Sequence, residues 1–270
     1  MKIKQLIGIG ALATVLITCT TNPITGRQSL QLMNDSELAT MALQEYKTTL
    51  SKAKVVTGTA EAKRVQNVGL RIKNAAENYY RSIGREEALA NYNWEFNLIE
   101  DKQVNAWCMP GGKVAFYTAI MPVCKDDTGV AVVMGHEVSH ALAGHGNERI
   151  SSAMLAQYGG AIAGSAIKNA QLAQIFQSAY PIGAQMGLLA YGRKQELEAD
   201  QMGLYLMGMA GYDPRQAQPF WHRMEAMSTT SGSRPPEFLS THPSPDHRRS
   251  DMDKHLPKAL EYYRAAGGKM

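Results

Sequence analysis

The sequence predicts an α+β fold, mainly helical, in which one small sheet leads into a buried helix carrying H-E-x-x-H. Three observations predict it. Residues 35–50 and 60–80 have helical hydrophobic spacing, while three short strand-like runs follow one another between Tyr92 and Tyr117. Strands and helices are therefore segregated rather than alternating as β-α units. Finally, Asp126-Asp127-Thr128 caps an almost wholly apolar segment that contains His136-Glu137-Val138-Ser139-His140.

Taken in order, the chain opens on Lys2 and Lys4 followed by an apolar run, Leu6 to Ile17, of signal-peptide length and too short to span a membrane. Leu16-Ile17-Thr18-Cys19 resembles a bacterial lipobox, although Thr18 departs from the small residue usual before the cysteine. Cys19 is then the expected lipidation site, and an ordinary secretory signal is the other reading. Thr20 after the cysteine points to the outer membrane by the enterobacterial sorting rule. The expected organisation is a signal peptide at 1–18, a turn-rich tether at 19–30, one domain at 31–262 and a tail at 263–270. The formal charge of +4 falls to about +2 without Lys2 and Lys4, which gives no support for nucleic-acid binding. In an oxidising compartment Cys108 and Cys124 could pair; two free, buried thiols are the alternative.

Asp35 or Ser36 can cap the first helix, with Leu38, Met41, Ala42 and Tyr46 near one face; Gly58-Thr59 marks the start of the second. Trp94, Phe96 and Leu98 give the first strand its alternation. Val104 to Met109 is the second, stopped by Pro110-Gly111-Gly112, and Lys113 to Tyr117 the third. Gly144 and Gly146 end the H-E-x-x-H helix. Residues 151–186 are rich in Ala, Gly and Gln but too polar for a membrane span, which leaves close packing or a flap. A helix over Glu196–Met209 and a helical stretch at 215–227 come next. A Ser/Gly/Pro-rich loop from Ser228 to Pro236 then leads to Thr241-His242-Pro243 and a charged last helix.

On a helix, positions i and i+4 share a face, so His136 and His140 can present both imidazoles to one ion, with Glu137 beside them as a base. The bland alternative is a core helix with two buried histidines. A catalytic zinc site needs a third protein ligand. The metzincin pattern would require a glycine at position 143 and a histidine at position 146, but the chain has Ala143 and Gly146, and His145 is out of register. Glu196-Leu197-Glu198-Ala199-Asp200 offers another solution. Glu196, Asp200 and Gly203 share one face, while Glu198 points nearly the opposite way. Glu196 can ligate, Asp200 can hold a ligand imidazole by its other ring nitrogen, and Gly203 lets two helices approach closely.

The ordered set Asn105-Ala106, Pro110-Gly111-Gly112, HEVSH, Arg193 with ELEAD, and Thr241-His242-Pro243 with Arg248 resembles the gluzincin metallopeptidases of the CAAX prenyl endopeptidase and HtpX family. Within it, the soluble periplasmic lipoprotein branch of the β-barrel-assembly-enhancing protease is the one resembled, over roughly residues 30 to 255. The resemblance implies a zincin-like metalloprotease core. It implies one zinc ion on His136, His140 and Glu196, with Glu137 as general base and Asp200 partnering a ligand histidine. Asn105 and Ala106 match an edge strand that pairs with extended substrate. His242 matches a loop histidine that can reach the zinc, and a gate at the water position is one expectation. Stabilisation of the oxyanion by His242 or Arg248 is the other. His145, His222, His247 and His255 are read as structural or surface residues. The implied function is a zinc-dependent endopeptidase of the bacterial envelope, degrading misfolded or misassembled proteins. It would sit in the periplasm, lipid-anchored through Cys19 to the outer membrane and near the outer-membrane assembly machinery. A zinc-containing assembly factor or chaperone with latent or no proteolysis is the alternative.

Overall fold

The computed structural model describes residues 19–158, 171–172, 174–176, 191–230, 236–243 and 247–269. The described part is mainly helical around one four-stranded sheet. Asn34 caps α1 (Asp35–Lys52) by accepting from the Ser36 amide, and Thr59 caps α2 (Ala60–Ser82) by accepting from Ala62. These side chains satisfy helix-end donors that would otherwise be orphaned.

The sheet order is β3 (Val55–Val56), β4 (Glu95–Ile99), β6 (Lys113–Tyr117), β5 (Ala106–Met109). β4 and β6 run parallel, and β5 pairs antiparallel with β6 from Ala106↔Phe116 to Met109↔Lys113. β5 is therefore an edge strand among the described residues. The tight β5–β6 connection needs Gly111 and Gly112 at φ of 78° and 75°, a left-handed backbone that side chains resist.

A short helix, α3 (Met121–Cys124), precedes the long buried α4 (Asp127–Leu142), whose N-cap Asp126 accepts from Gly129. α4 lies between the sheet and α6 (Arg193–Met209), and its Val130, Val133, Met134 and Val138 are fully covered. Gly144, at φ 67°, ends α4 and lets α5 (His145–Tyr158) start at once. α7 (Ala217–Thr230), α8 (Glu237–Thr241) and α9 (Arg248–Ala265) complete the described helices. The helix expected over 215–227 runs on through Thr230, three positions into the expected loop. The 151–186 stretch lies largely outside the described residues. Of its described part, Leu172, Ile175 and Phe176 pack with α1 and α5.

The α4–α6 seam is made by two glycines. A Cβ at Gly135 would lie 3.0 Å from the Gly203 carbonyl oxygen, and one at Gly203 would lie 3.1 Å from the His136 nitrogen. The expected close approach at Gly203 is thus present. Replacing Gly203 by valine is expected to cost about 1–3 kcal/mol in urea unfolding through overpacking, and to weaken zinc uptake by displacing His136 from Asp200. Unchanged stability and zinc content would show that the seam has slack.

Residues 19–30, read as a tether, form an antiparallel ladder of β1 (Cys19–Thr21) and β2 (Gln28–Leu30) with Cys19 opposite Leu30. Asn22 and Ser29 are buried, so this segment is packed onto the body of the protein. Its backbone groups pair within the turn, Asn22 N–H with Arg27 and Gly26 N–H with Asn22, which a short polar sequence does not announce.

Candidate metal centre

Helical periodicity brings His136 and His140 to one side of α4, and the same periodicity puts Glu196 and Asp200 on the facing side of α6. His242 arrives from elsewhere, as the C-cap residue of α8. Its amide donates to Phe238, whose ring stacks on the imidazole at 4.6 Å. Donor atoms of His136, His140, Glu196 and His242 all lie within 4.8 Å of one another, and all four residues are buried.

The nitrogens face each other closely. His136 Nε2 is 3.1 Å from His140 Nε2 and 3.2 Å from His242 Nδ1. Glu196 Oε1 is 3.1 Å from His242 Nδ1 and 3.4 Å from His140 Nε2. Converging lone pairs repel unless a cation or a proton sits among them, and a set of imidazoles and one carboxylate suits Zn²⁺. A second observation fits the same group. Glu137 Oε1 is buried without a hydrogen-bond partner among the described residues, 3.5 Å from His242 Nε2. An acceptor left open beside a cation site is what a base for water requires.

The surrounding charges are arranged around these donors. His136 Nδ1 donates to Asp200 Oδ1 at 3.0 Å, leaving Nε2 as the lone pair. Burial lowers the His136 pKa, but Asp200 and Glu196 outweigh it and hold it at about 9. Burial holds His140 well below its ordinary value. Burial raises Glu137, against the opposing pull of His242 and His136. For Glu196 burial acts upward, but His242, His136 and His140 together keep it well below the carboxylate range.

Arg248, expected as a candidate oxyanion donor, is buried against two carboxylates of the site. Its Nε donates to Asp200 Oδ2 at 2.6 Å and Nη2 to Glu196 Oε2 at 2.9 Å, and the guanidinium lies 3.8 Å over the Trp221 ring. Two of its donors are thus held by carboxylates behind the site. Asn105 and Ala106 are buried; Asn105 Oδ1 accepts from the Ala106 amide and its carbonyl accepts from Tyr117. Ala106 opens the edge strand β5 with Asn105 just before it, and the segment before them is tied to the His242 loop by Phe238 N–H donating to Val104. Cys108 on β5 and Cys124 are both free and buried. Burial first, and then the neighbouring Glu137 charge, push the Cys108 thiol well up, so it stays protonated.

Several residues at the site were not read from the sequence. His145, taken as structural, is fully buried with Nδ1 2.8 Å from His140 Nδ1 and Nε2 2.9 Å from Glu198 Oε2. Tyr191 stacks on His140 at 3.8 Å and carries Arg149 on its ring. Burial pushes its phenol up to about 12. The one available signal was the His140–Gly144–His145 spacing, where a glycine ends the helix and turns the next histidine back toward it.

The profile of peptidase family M48 matches residues 60–255. The mitochondrial metalloendopeptidase OMA1 of Saccharomyces cerevisiae is 32% identical over 211 residues, covering 74% of this chain and 57% of the relative. Human mitochondrial metalloendopeptidase OMA1 is 29% identical over 248 residues, covering 89% of this chain and 46% of the relative. The β-barrel assembly-enhancing protease of Escherichia coli is 30% identical over 164 residues, covering 58% and 33%. The chain spans about half the length, or less, of these relatives.

These relatives correct one expectation. Both OMA1 enzymes are mitochondrial, which overturns the placement in the periplasm at the outer membrane. Residues 1–18, read as a signal peptide, lie outside the described residues, and Cys19 is an exposed residue opening β1. No helix of the described residues is long and apolar enough to cross a membrane. With a match over most of its length and a buried site of imidazole and carboxylate donors that fits zinc, the chain belongs to peptidase family M48, the zinc metallopeptidases.

Proposed function

We propose that this chain is a zinc-dependent endopeptidase acting on unfolded or misassembled proteins, and that His242 holds its site shut at rest. The observation that carries the reading is the convergence of His136, His140, Glu196 and His242 around an open Glu137 carboxylate oxygen. His136, His140 and Glu196 are the three resident ligands. When bound there, zinc supplies Lewis acidity, lowering the pKa of water toward 7 and polarising the scissile carbonyl. Glu137 takes the proton of the attacking water and returns it to the leaving amine. Asp200 fixes His136, and Arg248 holds Asp200 and Glu196 from behind, which makes Arg248 a positioning residue. An extended substrate adds to the edge of β5 at Asn105–Ala106, giving affinity from backbone pairing with little side-chain preference.

His242 supplies a fourth protein donor, where a catalytic zinc site keeps an open position. Its Nδ1 converges with His136 and Glu196, and its Nε2 lies 3.5 Å from Glu137 Oε1, so the ring stands between the ligands and the base, as a gate would. Casein digestion by the wild-type chain, with and without 1,10-phenanthroline, tests the class. Digestion should stop with the chelator and return with added zinc; digestion indifferent to the chelator sinks the assignment. In the same assay His242→Ala should digest about tenfold faster, roughly 1.4 kcal/mol at the barrier. A slower variant would instead make His242 an oxyanion donor.

A further inference from the structure

His136 and His140 are held in different ways. His136 Nδ1 meets the Asp200 carboxylate directly. His140 Nδ1 meets another imidazole, His145 Nδ1, at 2.8 Å, a contact that needs a hydrogen on one nitrogen only. If His140 Nε2 is a metal ligand, its hydrogen sits on Nδ1, so His145 accepts there and donates from Nε2 to Glu198 Oε2. The tautomer of one ligand is therefore set through two buried side chains.

Glu198 is in turn gripped by the turn between β1 and β2. Asn22 Nδ2 donates to Glu198 Oε1 at 2.8 Å, Thr25 Oγ1 donates to the same oxygen, and Arg27 Nε donates to Oε2. The other two nitrogens of Arg27 make a bidentate pair with Glu148 at 2.8 and 2.9 Å, and Gln195 Nε2 donates to Glu148 as well. The turn is closed by its own hydrogen bonds: Asn22 Oδ1 accepts from the Ile24 amide and the Asn22 carbonyl from Gly26, which takes φ 75°. The sequence Asn22-Pro23-Ile24-Thr25-Gly26-Arg27 thus presents three donors to one buried carboxylate. A flexible tether would have no use for that arrangement.

We propose that the 22–27 turn is the outermost layer of the metal centre, with Arg27, Asn22 and Thr25 as positioning residues that act on zinc through Glu198, His145 and His140. The inference rests on the zinc reading of the site given above. Outer partners of metal ligands commonly set affinity by about ten- to a hundredfold. Removal of Arg27 takes away the other donor to Oε2, the Glu198 oxygen that His145 meets, while Asn22 and Thr25 hold only Oε1, so the acceptor chain that fixes the His140 tautomer is loosened.

The test uses the full chain and reads zinc, not proteolysis. The zinc dissociation constant is measured by competition with a chromogenic chelator, the visible spectrum is taken after cobalt substitution, and thermal unfolding is followed in parallel. Arg27→Met should weaken zinc by about tenfold and alter the cobalt spectrum, with Arg27→Lys recovering part of the loss. Arg215→Met, which breaks a surface pair with Asp213, should change neither. Combining Arg27→Met with Glu198→Gln should weaken zinc no further than Glu198→Gln alone, because both cut the same chain of contacts. If Arg27→Met is recovered unfolded, Thr25→Val removes one donor at similar volume and carries the same criteria. A variant that unfolds at lower temperature yet keeps zinc affinity within about twofold and an unchanged cobalt spectrum overturns the proposal. A wild-type chain that takes up no zinc overturns the metal reading beneath it.

Discussion

Glu137→Gln is expected to bind zinc as the wild type does and to lose peptide hydrolysis by on the order of a hundred- to ten-thousand-fold. Zinc binding should survive because Glu137 is outside the four converging donors, and glutamine keeps the shape of a fully buried side chain. Activity should vanish because an amide cannot take a proton from water. The Oε1 of Glu137, near the ligands and without a hydrogen-bond partner among the described residues, is the specific reason to assign the base here. Elemental zinc analysis alongside casein cleavage checks both halves. A variant that retains full activity with zinc bound would remove Glu137 from the mechanism, and one that loses zinc would make it a structural residue.

Arg248→Met should have the largest effect on stability, and the effect should depend on zinc. Arg248 is buried against two carboxylates, Asp200 and Glu196, and burial of its charge is offset by both. Removing one partner of such a cluster leaves uncompensated charge in the interior, at a cost of about 3–5 kcal/mol. In the zinc-free chain both carboxylates would feel that loss. With zinc bound, Glu196 has another cation and the loss should shrink, so the stabilisation by zinc should be larger in the variant than in the wild type. Urea unfolding with zinc and with chelator measures this difference. Arg248→Lys should recover little, because a single ammonium cannot match a guanidinium that divides its donors between two acceptors. An equal loss in both states would mean that Arg248 acts by packing on Trp221 alone.

The contrast between Glu198 and Glu196 shows where sequence reading works. Both belong to one short acidic run, and helical geometry correctly puts them on different faces. What that geometry does not say is what each face meets. Glu196 looked informative because a zinc site lacked a ligand, whereas Glu198 was read only as pointing nearly the opposite way. In the structure Glu198 is buried against Arg27, 171 positions earlier in the chain. His145 was discounted because it missed the spacing of one pattern. It reaches His140 because Gly144 reverses the chain at the end of α4, a contact governed by backbone conformation rather than by period.

The strands and the active-site helix were legible for local reasons: alternation for β4, a stop at Pro110-Gly111-Gly112 for β5, and an acidic cap with all-round apolarity for α4. The first hairpin was not, since its strands have three residues each and its stability comes from side chains docked elsewhere. By itself the sequence determined which side chains share a helical face, and so His136, His140, Glu137, Glu196 and Asp200 as one chemical set. Only the tertiary structure decided that His242 meets that set, that Arg248 donates to its Asp200 and Glu196, and that the 22–27 turn donates to Glu198. The physical reason is range. Backbone periodicity fixes directions within about one or two turns, while partners for buried charges are chosen by whatever distant segment folding brings into contact.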